Sequence, residues 1–398
     1  MKVSGLRLRG ILDSRARVTV EVDLTLGSGH QGTGSAPRAI APGRLERSRG
    51  PEPVLGTFSA PALQAALTGS AVADQADYDG RLAGLYQAGE AGADVTLAAS
   101  LAFARAAAAA CGVPLYAYFA GLAGSIPAVP ALMVNVFSGG IHLPPPARGF
   151  QQVMVLPATG GLRSDIEVAG AVFSAAERLA AQRFPAVGLS ASSGLVVPAG
   201  SEEQLGLAND AAAAAGHASV CTFGVDVAAE HLAQTPGRYR FGTGELSCQD
   251  FAGVLARLAA SYGLSYLEDP FDPAEASAWR GLRAVLPRST RIVGDDLFAT
   301  DESRIDQSLA DGVLLKLSQA GTVTATLAAA AAARAAGMVL AVSHRSGETE
   351  DTAMCDLAVA VGAELIKVGG PRRGDRLAKY NQLLRLDESL HSAPSRPT

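Results

Sequence analysis

From about Pro130 onward the chain repeats one pattern: a short apolar segment that ends on a charged or polar residue and leads into a helical stretch. "VCTFGVDVAA", "LSYLEDP", "RIVGDDLF", "GVLLKLSQAG", "MVLAVSHRSG" and "AELIKVGG" all follow it. Continuous apolar runs of about five residues are what a strand buried on both faces requires, and strands alternating with helices point to a parallel sheet. Polar groups at the C-terminal ends of several such strands are the mark of the functional face of a (β/α) barrel.

The chain upstream is built differently. In "VTVEVDLTL" apolar and polar residues alternate, as expected for an antiparallel strand with one buried face. The Gly/Pro/Arg-rich stretch from Gly27 to Pro53 is expected to be one long loop. Helical segments follow, and Gly112 and Pro114 are expected to stop the last long one. "GSIPAVPALMVNVFSGG" marks a boundary, which divides the chain into an N-terminal α+β domain over residues 1–125, a barrel over 126–386 and a flexible tail over 387–398.

Composition narrows the function classes. With 48% hydrophobic and 18% charged residues, the 398-residue chain is globular. A net charge of -5 and a pI near 5.7 offer nothing to nucleic acid, so any cations that bind an anion must be locally concentrated. Cys111, Cys221, Cys248 and Cys355 are scattered without metal-ligand spacing, as small buried hydrophobes of a reducing cytosol would be. The N-terminus carries Arg and Asp within its apolar stretch and does not resemble a signal peptide; a cytoplasmic, non-membrane protein is expected.

Three carboxylates stand at three successive strand ends: Asp226, Glu268 and Asp295. A single one could simply cap the helix that follows. Three converging on one barrel mouth would repel one another, and a divalent cation resolves the repulsion. Oxygen donors without His or Cys select Mg²⁺ over zinc. The later strand ends add Lys316, then His344, Arg345 and Ser346, then Lys367. A lysine closing an apolar strand is suited to act as a general base, and Arg345 offers a bidentate fork for phosphate or carboxylate. The ensemble is expected to hold a small anionic substrate against a metal.

The segments "ILDSR", "VPLYAYFAG", "LEDP", "VGDDLF", "KLSQAGT", "SHRSGETEDT" and "AKYNQLLR" resemble, in order and over nearly the whole chain, the signature segments of the enolase family. The resemblance implies an N-terminal capping domain, an enolase-type (β/α)8 barrel, and a homodimer or higher homo-oligomer. It implies Asp226, Glu268 and Asp295 as Mg²⁺ ligands, Lys316 as the base that takes the α-proton, and Arg345 and Lys367 as partners of the substrate's charged groups. A Lys base working beside Mg²⁺ is general to that superfamily and is not read from this chain.

The chain also departs from the family. The Gln-Glu-Phe-Met segment is here "QQVM", which puts Gln152 at the acid's position. The Asp-Glu-Gly-Gly segment aligns with "ASSGLVVP", which puts Ser192 at the Asp and Ser193 at the Glu. A mobile Ser-rich loop aligns with "RAIAP", giving Arg38 and Ala41 in place of a serine that binds a second metal ion. His142 survives, but Ser138 replaces the Asn before the glycines, and Pro144, Pro145 and Pro146 follow. The metal ligands, base and anion clamp are thus retained and both acids are lost. This pattern points to altered chemistry on a 2-phosphoglycerate- or phosphoenolpyruvate-like substrate, with His142 as the one remaining acid. Gln152, Ser346, His344 and Arg38 are expected to contact that substrate. The expected reaction joins a phosphonoformyl unit to an enolpyruvate skeleton, as in the carboxyphosphonoenolpyruvate synthase group of phosphonate natural-product biosynthesis. The alternatives are glycolytic enolase and a non-catalytic binding protein.

Overall fold

The computed structural model describes residues 1–38, 53–140 and 149–392. His142 with Pro144, Pro145 and Pro146, and Ala41, lie outside the described residues.

The N-terminal domain opens with β1 (Val3–Leu12) and β2 (Val18–Leu26), a hairpin whose register runs from Leu12 opposite Val18 to Val3 opposite Leu26. Alternation in β2 sends Val20, Val22, Leu24 and Leu26 into the core. β3 (Gln31–Ser35) and β4 (Gly56–Phe58) complete an antiparallel sheet in the order β3-β2-β1-β4. The Gly27–Pro53 stretch is therefore not all loop. Its glycines serve packing: a Cβ on Gly34 would lie 2.4 Å from the carbonyl oxygen of Ala98 and 2.7 Å from the backbone nitrogen of Ala102. Only a bare backbone lets the Ala-rich helix lie flat on the edge strand. That helix is α3 (Ala93–Cys111), preceded by α1 (Pro61–Leu67) and α2 (Gln75–Gln87) and followed by α4 (Leu115–Ala123). Gly112, at φ 67°, ends α3 as expected.

The barrel strands are β5 (Ala131–Ser138), β6 (Gln152–Pro157), β9 (Cys221–Asp226), β13 (Leu264–Glu268), β14 (Arg291–Gly294), β15 (Gly312–Leu315), β16 (Val339–Ser343) and β17 (Leu365–Lys367). A small hairpin, β7 (Gly188–Leu189) and β8 (Leu195–Val196), leans on β5, and β10 (Ala233–Thr235), β11 (Arg238–Phe241) and β12 (Gly244–Ser247) form a separate sheet. Pairing of β17 with β5 closes the barrel. The outer helices are α5 (Leu162–Arg183), α6 (Ser201–Ala214), α7 (Cys248–Tyr262), α8 (Ala276–Leu282), α9 (Leu317–Ala320), α10 (Val323–Ala335), α11 (Ala353–Ala360) and α12 (Gly374–Ser392). α12 continues to Ser392, so residues 387–392 of the expected tail are helical; residues 393–398 lie outside the described residues.

The barrel is not uniformly parallel. β6 runs antiparallel to both β5 and β9. Its first residue, Gln152, therefore lies at the end where the other strands finish, directly opposite Asp226. Inside the barrel, Met133, Met154, Leu156, Tyr266, Val293, Leu314 and Ala341 form one apolar cluster, with Leu365 against it. Side chains two positions apart share a strand face. The next inward position on each strand gives Asn135, Gln152, Asp226, Glu268, Asp295, Lys316, Ser343 and Lys367. A polar ring thus sits on an apolar floor.

Candidate active site

Going round that ring, Asp226, Glu268, Asp295 and Lys316 occupy neighbouring strands, and Lys367 is the last charged member before the closure. All are buried except Lys316, which is partly so. The Lys367 ammonium donates to Asp226 Oδ2 at 2.8 Å and to both oxygens of Glu268 at 2.9 Å. Lys316 Nζ pairs with Asp295 Oδ2, and Gln319 Nε2 donates to Asp295 Oδ1 at 3.0 Å. The Tyr266 hydroxyl, from the apolar floor, donates to Glu268 Oε2 at 2.7 Å. Lys367, expected as a substrate cation, lies between two of the expected metal ligands.

The carboxylates outnumber the cations. Burial, reinforced by Asp226, raises the Glu268 carboxyl to about 8, against the pull of Lys367. Burial and Asp295 raise Asp296 to about 7. Burial would raise Asp295 as well, but the Lys316 ammonium holds it below the ordinary carboxylate range. Asp226, Glu230, Glu268, Asp269, Asp295 and Asp296 outnumber Lys316, Lys367 and Arg345, which leaves a surplus of negative charge when all are ionised. Oxygen donors with that surplus fit a divalent hard cation. Among the described residues, the carboxylates whose oxygens lie within 4.8 Å of one another are Asp269, Asp295 and Asp296, a set that shares only Asp295 with the expected Asp226, Glu268 and Asp295.

The loop after β16 carries His344, Arg345 and Ser346. His344 and Arg345 are buried, and Ser346 is partly so. Burial, then the positive charge of Arg376, pushes the His344 imidazole well below its usual range, so the ring is neutral. Its Nε2 has no partner. Glu348 Oε1 accepts from the Arg345 backbone N–H at 2.8 Å, and Lys379 Nζ closes on Glu348 Oε2 at 2.9 Å. Arg376 Nη2 donates to the Ser346 carbonyl at 3.1 Å. Arg38 pairs its backbone with Gly347 in both directions, at 2.7 and 2.8 Å, and its Nη1 donates to the Val18 carbonyl at 2.9 Å. Arg38 therefore braces this loop from the N-terminal domain.

The remaining arc is neutral. Gln152 is buried and its Oε1 has no partner. Asn135 Nδ2 donates to Ser138 Oγ at 2.9 Å, Ser138 and Ser190 hydroxyls meet at 2.8 Å, and Asn135 Oδ1 is unpartnered. Ser193 is fully buried at φ 60° with an unpartnered Oγ. The 190–194 turn lies against the chain leaving β17, where Gly370 donates to the Ser192 carbonyl at 2.9 Å.

Sequence reasoning did not single out Asp269, Gln319, Glu348, Arg376 or Lys379. Asp269, at φ 41°, accepts the backbone N–H groups of Asp295 at 2.9 Å and Asp296 at 2.8 Å and so holds that turn. The acidic doublets "ED" and "DD" were its visible signal. Arg376 and Lys379 come from α12, and nothing local to them marks a contact with residues some thirty positions upstream.

A model described as the enolase N-terminal domain matches residues 3–119, and one described as the enolase C-terminal TIM barrel domain matches residues 126–395. An enolase of Rubrobacter xylanophilus is 35% identical over 421 aligned positions, which take in 100% of this chain and 97% of that protein.

Proposed function

The chain belongs to the enolase family, and from that premise we propose that it is an Mg²⁺-dependent enzyme for a small phospho- or phosphono-carboxylate whose chemistry differs from simple dehydration. One observation carries this reading. Lys316, Asp226, Glu268, Asp295 and Arg345 are retained, with Lys316 paired to Asp295, while Gln152 and Ser193 are buried neutral groups with unpartnered polar atoms. An amide has no titratable proton, and a serine hydroxyl is too weak an acid to protonate a departing hydroxyl near neutral pH.

In this reading Arg345, held by Glu348, binds the phosphoryl or phosphonyl group, with His344 and Ser346 beside it. Lys316, in its neutral amine form, takes the proton from the substrate's α-carbon onto Nζ, and Asp295 holds the ammonium that results. Asp226, Glu268 and Asp295 are the residues that would hold Mg²⁺, which when bound supplies positive charge to the substrate carboxylate as the α-proton leaves. Gln152 contacts the carbon skeleton, Arg38 is the proposed contact for an additional substrate anion, and His142 is the proposed remaining proton donor. The finer proposal is a condensation of the carboxyphosphonoenolpyruvate synthase type, in which an oxygen of the three-carbon skeleton attacks the phosphorus of an activated phosphonoformyl donor and the donor's carrier group departs with the electron pair of the broken bond. A homo-oligomer is proposed with it.

The test is to incubate purified protein with Mg²⁺ and 2-phosphoglycerate and follow phosphoenolpyruvate by absorbance. Phosphorus NMR would follow the same mixture with a phosphonoformyl donor added. Slow or absent dehydration with a new phosphonate signal is expected. Turnover near the ~10 s⁻¹ typical of enzymes would return the protein to ordinary enolase chemistry.

A further inference from the structure

The N-terminal domain touches the site at a second place, remote from Arg38. Four of its polar side chains, Gln75 and Asp79 on α2 and Thr96 and Ser100 on α3, are buried. They converge on the turn joining α9 to α10. Thr96 Oγ1 donates to the Gly321 carbonyl at 2.9 Å, and Ser100 Oγ accepts the Val323 N–H at 2.9 Å. Asp79 Oδ2 accepts both the N–H of Thr324 at 2.8 Å and its hydroxyl at 2.7 Å. Gln75 Nε2 ties the group together, donating to Asp79 Oδ1 at 3.0 Å and to Ser100 Oγ at 3.2 Å.

The first N–H groups of a helix have no intrahelical partner, and side chains of the same chain segment usually satisfy them. In α10 the local Thr322 hydroxyl accepts only from Ala325, and the other domain takes Val323 and Thr324. α9 begins directly after Lys316, and the Lys316 carbonyl accepts the N–H of Gln319 at 3.0 Å. Gln319 in turn reaches Asp295 Oδ1 at 3.0 Å and accepts from Thr300 Oγ1 at 2.7 Å, while the Lys316 N–H donates to Thr300 Oγ1 at 3.0 Å. The Gly321 N–H donates to the Leu317 carbonyl at 2.9 Å, so the turn held by Asp79, Ser100 and Thr96 is joined, through that bond and the four-residue α9, to the Lys316–Asp295 pair.

We propose that Asp79, with Ser100 and Thr96, is a positioning residue for the reaction: the N-terminal domain anchors the Gly321–Thr324 turn and through α9 sets Lys316 and Gln319 against Asp295. This rests on the reading of Lys316 as the base. Small misplacements of a reacting group reduce rate without reducing affinity, because substrate is held by other side chains.

The experiment measures exchange of the α-hydrogen of 2-phosphoglycerate with deuterium in the Mg²⁺-loaded full chain, beside the affinity for the same compound by calorimetry. Asp79→Ala is expected to slow exchange about tenfold with affinity changed less than about twofold. Asp79→Asn, whose amide oxygen can still accept from Thr324, should recover most of the rate, and Ser100→Ala should lose a few-fold. These two milder variants carry the test if Asp79→Ala does not fold. Wild-type exchange rates in all folded variants, well below their melting temperatures, would overturn the positioning role alone. A wild-type protein that binds the compound but exchanges nothing would overturn Lys316 as base and this inference with it.

Discussion

The two arcs of the barrel mouth are built on the same floor and differ in charge. From β9 round to β17 the ring holds Asp226, Glu268, Asp295, Lys316 and Lys367, and every charge has a named partner. On β5 and β6 the ring holds Asn135 and Gln152, which are backed by Ser138, Ser190 and Ser193 and retain unpartnered atoms. Both sides are buried apart from the partly exposed Lys316, so solvent exposure does not explain the difference. In the proposed reading the charged arc moves a proton and grips an anion. The neutral arc can only accept or donate hydrogen bonds. Loss of function by drift would be expected to erode both arcs, whereas here one is complete and one is uniformly discharged.

The sharpest way to break the comparison is Lys316→Ala. It should lower α-hydrogen exchange by roughly 10³-fold while 2-phosphoglycerate still binds; exchange surviving at the native rate would remove the charged arc from the chemistry. Lys367→Met should come next. It leaves Asp226 and Glu268 buried without their shared cation, and a loss of about 3 kcal/mol in denaturant unfolding of the metal-free protein is expected. Gln152→Glu tests the other arc. The new carboxyl would stand opposite Asp226, whose charge should keep it protonated near neutral pH and so able to act as an acid. Dehydration of 2-phosphoglycerate should rise by about 10²-fold, and no rise would show that a missing acid is not what separates the arcs.

A smaller effect concerns the brace behind the charged arc. Asp351, after the His344–Ser346 loop, is paired by Arg105 of α3 at 2.6 and 2.7 Å and accepts the Ser35 N–H at 3.1 Å. Burial alone would raise its carboxyl, but Arg105 prevails and holds it below the ordinary range. A depressed carboxyl contributes stability above its unfolded value, near pH 4, and loses it as the pH falls through the lower folded value. The melting temperature of wild type should therefore exceed that of Asp351→Asn at neutral pH, by the equivalent of about 2 kcal/mol. The gap should close below about pH 4; a gap independent of pH would exclude the ion pair as its source. The smallest effect is expected for Gln152→Met, which removes an unpartnered amide from the neutral arc and should change stability by less than about 1 kcal/mol.

Much of this molecule is legible from local pattern. The run "VTVEVDLTL" determined which side of β2 enters the core, because alternation along a strand needs no knowledge of its partner. The apolar runs ending in Asp226, Glu268, Asp295, Lys316 and Lys367 placed those side chains at strand ends, where a barrel puts its chemistry. Tertiary structure decided what depends on a distant partner. Residues 31–35 form a strand because β2 offers an edge and α3 offers a surface that only glycine permits. Gln152 reaches the mouth because β6 reverses direction, and strand direction is set by the neighbours it pairs with. Which charge meets which was likewise undetermined: Lys367 bridges two carboxylates from strands about 100 and 140 residues earlier. The polar anchor at Asp79 was equally hidden, since a buried carboxylate acquires its role from the helix end it faces 245 residues away. Propensity and periodicity act over a few residues, whereas electrostatic pairing in a buried site depends on distances that only the closed barrel and its docked domain establish.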